Sequence, residues 1–168
     1  PYFIDLPQPL SEHPLIELIE TAFRVIQYRF LVGDVLAFLK TGMGPLCAEE
    51  TNELENYCLA YGVNQEDWIQ ESVWAFSGSE EVFDSTGIDR LRRKAIAPLA
   101  DLDENLMALE KTTGKQFIQP LWEFLRRLSV PETLAEWSRE DPAAGPGHSQ
   151  AYDKFVDLFD EYDAIFSD

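Results

Sequence analysis

The sequence predicts an all-α protein, an irregular bundle of about six to seven helices that includes one long kinked helix. Three observations carry this expectation. Apolar residues recur at steps of three and four along most of the chain, which places them on one side of a helix. No stretch alternates apolar and polar residues as a half-buried strand does. Prolines and glycines fall between the periodic segments and divide them. With 168 residues, 45% hydrophobic and 12% aromatic, the chain has the size and composition of one globular domain, 1–168.

In the first helix, Leu15, Leu18, Ile19, Ala22, Phe23 and Ile26 form one apolar stripe, with Pro14 in the first turn, where its missing N–H costs nothing. A second, shorter helix is expected from Asp34 to Lys40, stopped by Gly42 in a left-handed cap. The third, from Glu49 to Tyr61, turns Leu54, Tyr57, Cys58 and Tyr61 inward and ends at Gly62. Asn64 then suits the start of a short turn carrying Trp68. Residues 70–87, rich in Ser and Gly, read as a connection pinned to the core by Trp74, Phe76 and Phe83.

The fourth helix is the longest. Ile88, Leu91, Ala95, Leu99, Leu102, Leu106 and Leu109 make its stripe, and Pro98 is expected to kink or split it. After Thr113-Gly114 a fifth helix buries Phe117, Leu121, Phe124, Leu125 and Leu128, with Pro120 near its start. Pro131 opens a sixth helix running to Trp137, and Asp141–Gly147 reads as a loop. The last helix buries Tyr152, Phe155, Val156, Phe159 and Phe166 and turns Asp153, Asp157, Asp160 and Glu161 to water.

The formal charge is −18, unevenly distributed. Residues 1–87 hold fifteen acids and three bases, and residues 131–168 ten acids and two bases, whereas 88–130 holds eight bases and six acids. An acidic exterior argues against a broad grip on DNA, whose phosphates are bound by Lys and Arg. Contact with nucleic acid is therefore expected only in the middle third. Taking Ile88 as zero on a helical wheel, the apolar stripe centres near about −20° and Arg90, Arg93 and Lys94 fall at roughly 140–240°. They form a solvent-facing cationic patch with Arg92 on its flank, extended by Arg126 and Arg127 from the fifth helix. Its ordinary reading is a solvated face with local ion pairs; its functional reading is contact with DNA phosphates or an acidic partner.

Other chemistry is poorly supported. Lys40-Thr41-Gly42 lacks the upstream glycines and strand of a phosphate loop and reads as a helix C-terminus. His13 and His148 stand far apart in sequence without ligands at metal spacing. Gly87-Ile88-Asp89-Arg90 resembles the start of a RecB-type nuclease segment, but Leu91-Arg92 stands where a second aspartate is required, and Asp89 reads more simply as an acid in a helix's first turn. No carboxylate pair is singled out, so no catalytic, cofactor-binding or metal residue is assigned. Cys47 and Cys58 make neither a disulfide framework nor a metal pair; Cys58 is expected to be a buried reduced thiol, and the cytoplasm is the expected compartment. No apolar run approaches the roughly 20 residues of a membrane helix. The opening Pro1-Tyr2-Phe3, without an initiator Met, suggests a segment of something longer.

Several words, taken in order, resemble one family, the B subunit of the bacterial AddAB/RexAB helicase-nuclease. They are Tyr2-Phe3, His13-Pro14-Leu15, Asp34-Val35, Phe38-Leu39-Lys40-Thr41-Gly42, Glu55-Asn56-Tyr57, Leu59-Ala60-Tyr61-Gly62 and Trp68, then Ala97-Pro98-Leu99 and the stretch from Phe124-Leu125 to Val130-Pro131. The resemblance spans nearly the whole chain. It implies a counterpart of the helical 2B insertion of superfamily-1 helicases, in a parent complex that processes double-strand breaks for recombinational repair. It further implies that ATP, Mg and the iron-sulfur cluster belong to other parts of the parent, so this segment is neither ATPase nor nuclease and holds no cofactor. Its implied partners are the A subunit, neighbouring subdomains of the B subunit and duplex DNA, with no membrane; its high charge favours a monomer.

Two other readings compete with it. A stand-alone acidic interaction module predicts an exposed apolar patch of roughly several hundred Å². An enzyme with an unrecognised helical site predicts a pocket holding perturbed carboxylates or a histidine. The helicase subdomain predicts Arg90, Arg93 and Lys94 on one face and chain ends that lie close together.

Overall fold

The computed structural model describes residues 12–74, 84–109, 114–141 and 144–166. Seven α-helices and one 3-10 turn account for most of them, and no strand occurs among the described residues. The helices are α1 (Pro14–Gln27), α2 (Val32–Lys40), α3 (Ala48–Tyr61), α4 (Ser85–Met107), α5 (Gly114–Arg127), α6 (Val130–Glu140) and α7 (Gly145–Phe166), and the 3-10 turn is Gln65–Trp68. No helix of the described residues is long and apolar enough to cross a membrane.

In α1, His13 caps the N-terminus by accepting a hydrogen bond from the Leu15 N–H at 3.2 Å, and Pro14 follows in the first turn. Leu15, Leu18, Ala22 and Val25 are wholly buried, with Ile19, Phe23 and Ile26 packed at the margin. Val25, absent from the expected stripe, is buried because α1 packs against both α2 and α4, which widens the covered face. The turn into α2 is tight: Arg29 and Phe30 both take left-handed φ, at 56° and 64°, and Phe30 plugs the core at 4% exposure.

α2 begins two residues before the expected Asp34 and stops as expected, with Gly42 at φ 76°. α3 likewise ends on Gly62, at φ 61°. Trp74 is wholly buried, as its pinning role requires, while Phe76 and Phe83 lie outside the described residues.

α4 is the spine of the fold. It packs on α1 and α3 along one side and on α5 along another, and α5 carries α6 and α7. Pro98 does not split it; the helix runs unbroken from Ser85 to Met107, and Pro98 is buried within it. Stacked Phe23 and Phe117, with centroids 5.8 Å apart, tie α1 to α5, and Phe38 against Phe124 at 6.1 Å ties α2 to α5. α6 continues past Trp137 to Glu140.

The expected loop Asp141–Gly147 is shorter than it reads, because Gly145, Pro146 and Gly147 form the first turn of α7. Proline is tolerated in a first turn, where the N–H has no helical partner. Asp141 also anchors this corner, accepting from the Gly145 N–H at 2.9 Å through its carbonyl. On α7, Phe155 is buried and Tyr152 and Val156 are half-buried, while Asp153, Asp157 and Glu161 are exposed. The expectations for Phe159, Asp160 and Phe166, and for the closeness of the chain ends, lie outside what the structure describes.

Candidate functional site

The N-terminal half of α4 carries the expected cationic patch. Asp84 caps the helix, its carboxylate accepting from the Thr86 N–H at 3.1 Å. Ile88, Leu91 and Ala95 then face the core. Arg92, expected on the flank of the patch, is instead buried, its side chain 1% exposed.

The Arg92 guanidinium is the centre of a saturated polar node. Its Nε and Nη2 donate to Asp89 Oδ1 at 2.9 and 2.7 Å. Its Nη1 donates to the carbonyls of Asp67, Trp68 and Gln70 at 3.2, 2.9 and 2.8 Å, and its Nη2 also donates to Ser72 at 3.2 Å. Asp89 further accepts from the Trp74 N–H at 3.1 Å and from Arg93 Nε at 2.7 Å. Trp74 lies with its ring centroid 5.3 Å from the guanidinium carbon, stacks on Tyr57 and donates its indole N–H to the Asp67 carbonyl at 2.7 Å. A planar fork with five N–H donors is the side chain suited to gather so many carbonyls.

This geometry overturns the first-turn reading of Asp89. Burial works against its charge, but the bonds from Arg93, the Trp74 N–H and Arg92 outweigh that and hold it below the usual carboxylate range. Both oxygens accept from donors of this chain, so Asp89 clasps Arg92, Arg93 and the Trp74 backbone together.

The other expected site residues divide into two groups. Arg93 is half exposed, but it is bound to Asp89 and donates to the Glu71 carbonyl at 2.7 Å. Lys94 reaches across to α3 and donates to both oxygens of Glu50, at 3.0 and 2.8 Å. Glu50 also accepts from the Cys47 N–H at 3.0 Å and so caps α3; the Lys94 bond, aided by this one, holds its carboxyl below the usual range. Arg127 is paired with Asp101, seven residues or about 10 Å along α4 from Lys94, and so stands apart from the 90–94 group. Arg90 and Arg126 are exposed and form no ion pair among the described residues. Arg90, Arg93 and Lys94 are thus all exposed on α4, where the wheel puts them, with Arg93 and Lys94 paired to acids of this chain.

Lys40-Thr41-Gly42 is a helix C-terminus, as read. Lys40 Nζ pairs with Glu55 at 2.6 Å, and the Thr41 hydroxyl donates to the Phe38 carbonyl at 2.8 Å. The two histidines, far apart in sequence, meet in the fold at 2.9 Å, with Trp137 edge-on to His148. No group of three or more His, Cys, Asp or Glu among the described residues is arranged to hold a metal ion. Sequence reasoning missed Asp89 and Glu50 as anchors. The available signal was the wheel position of Arg92, only about 60° from the centre of the apolar stripe.

No protein-family model matches the chain. Its relatives are B subunits of ATP-dependent helicase/deoxyribonucleases. One, from Moorella thermoacetica, is 31% identical over 174 residues, which take in 96% of this chain and 15% of that protein. Another, from Desulforudis audaxviator, is 30% identical over 184 residues, covering 96% of this chain and 16% of the relative. A third, from Geobacillus kaustophilus, is 31% identical over 187 residues with the same coverage of 96% and 16%. The chain thus spans less than a fifth of the length of the curated relatives it matches.

Proposed function

The chain belongs to the family of ATP-dependent helicase/deoxyribonuclease B subunits, of which it matches one segment, and from that premise we propose that it is a non-catalytic helical subdomain that scaffolds the parent assembly. In this reading the parent complex processes DNA double-strand breaks for recombinational repair in the cytoplasm. ATP hydrolysis, Mg-dependent DNA cleavage and iron-sulfur chemistry lie in other segments, and this one packs against the A subunit and neighbouring subdomains as a counterpart of the 2B insertion.

One observation supports the scaffold role above the others: every base in the run Arg92–Lys94 is spent on an acid of this same chain. Side chains committed to Asp89 and Glu50 build a rigid support, and they have little left to offer a phosphate. What remains outside is mostly acidic, with fifteen acids against three bases over residues 1–87.

A second reading, guidance of duplex DNA, is favoured by the exposed Arg90 and Arg126. Titrating the chain with a labelled duplex bearing a single-stranded tail separates the two. The scaffold reading expects no binding at low salt. Salt-sensitive binding that disappears in an Arg90→Glu/Arg126→Glu variant would replace it with the guide reading, the salt slope reporting the few phosphates contacted.

A further inference from the structure

α6 and α7 are joined as one unit that packs on α5. The Gly145 N–H donates to the Asp141 carbonyl at 2.9 Å, the Ser138 hydroxyl donates to the Gly145 carbonyl at 3.4 Å, and a Cβ at buried Gly145 would meet the Ser138 carbonyl at 3.0 Å. Where this unit reaches α1 and α2 the join is small. Trp137 lies against Gly42, 3.2 Å from where a Cβ would stand, and His148 meets His13 with Trp137 edge-on behind it.

Two hydrogen bonds run through this histidine pair, and both depend on bare ring nitrogens. The Leu15 N–H donates to His13 Nδ1 at 3.2 Å, and His13 Nε2 lies 2.9 Å from His148 Nδ1. The cap needs Nδ1 of His13 bare, and the link needs one of the two facing nitrogens bare. Two of the four ring nitrogens must therefore be without a proton, so the closed arrangement holds two ring protons. A third leaves one bare nitrogen for two bonds. On His13 it occupies Nδ1 and the cap is lost; on His148 it occupies Nδ1, faces the His13 Nε2–H and the link is lost. A fourth removes both bonds and sets two cations with ring centroids 5.2 Å apart.

We propose that His13 and His148 form a proton-operated joint, closed with two ring protons and opened by further ones, that fastens the α6–α7 unit to the start of α1. The inference is independent of the scaffold reading. Burial, and repulsion by His148, lower the pKa of His13 from its ordinary 6.5, so its Nδ1 stays bare above that pH. His148 is the one charge that acts on it. The acids flanking the corner, Glu12 and Glu17 of the α1 segment and Glu140 of α6, are exposed to solvent. Asp141 caps the corner itself, accepting from the Ala144 N–H at 3.3 Å. On α7, half-buried Tyr152 is pushed up by burial, with Glu132 and Asp153 adding, and on the α2 side Lys40 is paired with Glu55.

The test is amide hydrogen exchange on the full B subunit at about pH 7.5 and 5.5, with rates corrected for the pH dependence of the exchange chemistry. Protection over 14–17 and 145–150 is expected to fall by up to about tenfold per pH unit below 6.5, the slope of a one-proton step. Protection over 88–99 in α4 is expected to stay within about twofold. His13→Asn/His148→Gln keeps acceptors at the cap and the link but has no ring proton to gain, and is expected to abolish both falls. His148→Gln alone leaves the cap in place, and is expected to abolish the fall at 145–150 and keep that at 14–17. Constant protection at either segment in the wild type overturns the proposal. An equal fall in the double variant does so too, as does one shared by α4, which marks general acid unfolding. If the double variant has lost protection over 88–99 at pH 7.5, the single variant decides: an unchanged fall at 145–150 overturns the joint.

Discussion

His13 and His148, 135 positions apart, form a hydrogen bond of 2.9 Å from Nε2 of the first to Nδ1 of the second. The direction follows from the cap of α1. His13 Nδ1 accepts from the Leu15 N–H, so it carries no proton, and the proton of that ring is on Nε2. His148 Nδ1 is then the acceptor of this bond. A further proton on His13 falls on Nδ1 and costs the cap of α1.

Burial lowers the pKa of His13 from its ordinary 6.5, and repulsion by His148 adds to the shift. A histidine with a lowered folded pKa binds its proton more readily when unfolded, so its contribution is complete above pH 6.5 and is lost as pH falls below it. Stability from urea unfolding is expected to be flat from about pH 7 to 8 and to fall as pH drops below 6.5, above the range where ordinary carboxylates titrate. His13→Asn retains a capping side chain and is expected to flatten that fall. An unchanged slope in the variant would contradict the account.

Arg92 is the most sensitive position in α4. Arg92→Met removes one of the two guanidinium partners of buried Asp89 and leaves the inward carbonyls without a donor, and is expected to cost about 3–5 kcal/mol. Arg92→Lys is expected to be nearly as damaging, since one ammonium cannot span the carbonyls of Asp67, Trp68, Gln70 and Ser72. An apolar pair often replaces a buried ion pair without loss, but Asp89→Leu/Arg92→Met is expected to remain unstable, because those carbonyls stay unsatisfied. Recovery of the double variant to within about 1 kcal/mol of wild type would show that the carbonyl contacts contribute little. By contrast, Arg90→Ala on the exposed side is expected to change stability by less than about 0.5 kcal/mol.

The two left-handed glycines differ in their surroundings. A Cβ at Gly62 meets nothing within 4 Å, so Gly62→Ala is expected to cost only the conformational term, about 1 kcal/mol. A Cβ at Gly42 lies 3.2 Å from Trp137 Cζ2, and Gly42→Ala is expected to cost about 2–3 kcal/mol. The difference is expected to shrink in a Trp137→Ala background. Equal costs for the two glycines would remove the role of Trp137 over the Leu39-Lys40-Thr41-Gly42 corner.

The thiols are expected to react unequally. Burial pushes Cys58 up to about 12, with the nearby Glu55 charge adding, whereas Cys47 is exposed at the start of α3. Ellman's reagent at pH 8 is expected to modify Cys47 quickly and Cys58 only on unfolding. Rapid modification of both in the native protein would mean that α3 opens locally.

Most of the architecture was legible in the sequence. Helix periodicity reflects each helix's own buried side, so Leu15, Leu54, Ile88 and Leu121 all lie where their spacing puts them. Gly42 and Gly62 mark helix ends because the left-handed cap they supply is a local requirement. The acidic exterior and the ordered words that resemble the B-subunit family were also readable without coordinates.

What covers a helix was not. Arg92 stands at the edge of the core face of α4, and from α4 alone that edge reads as solvent; residues 67–74 fold over it and turn a flanking base into the buried centre of the fold. Lys94 read as part of a solvated face with local ion pairs, but only the arrival of α3 decided that its partner is Glu50. The same holds for His13 and His148, whose partnership depends on α1 and α7 meeting after 135 residues. Propensity, capping and amphipathic spacing act over a turn or two of chain and are fixed by neighbouring residues. Burial of a charge depends on which distant segment arrives, and that is decided only by tertiary packing.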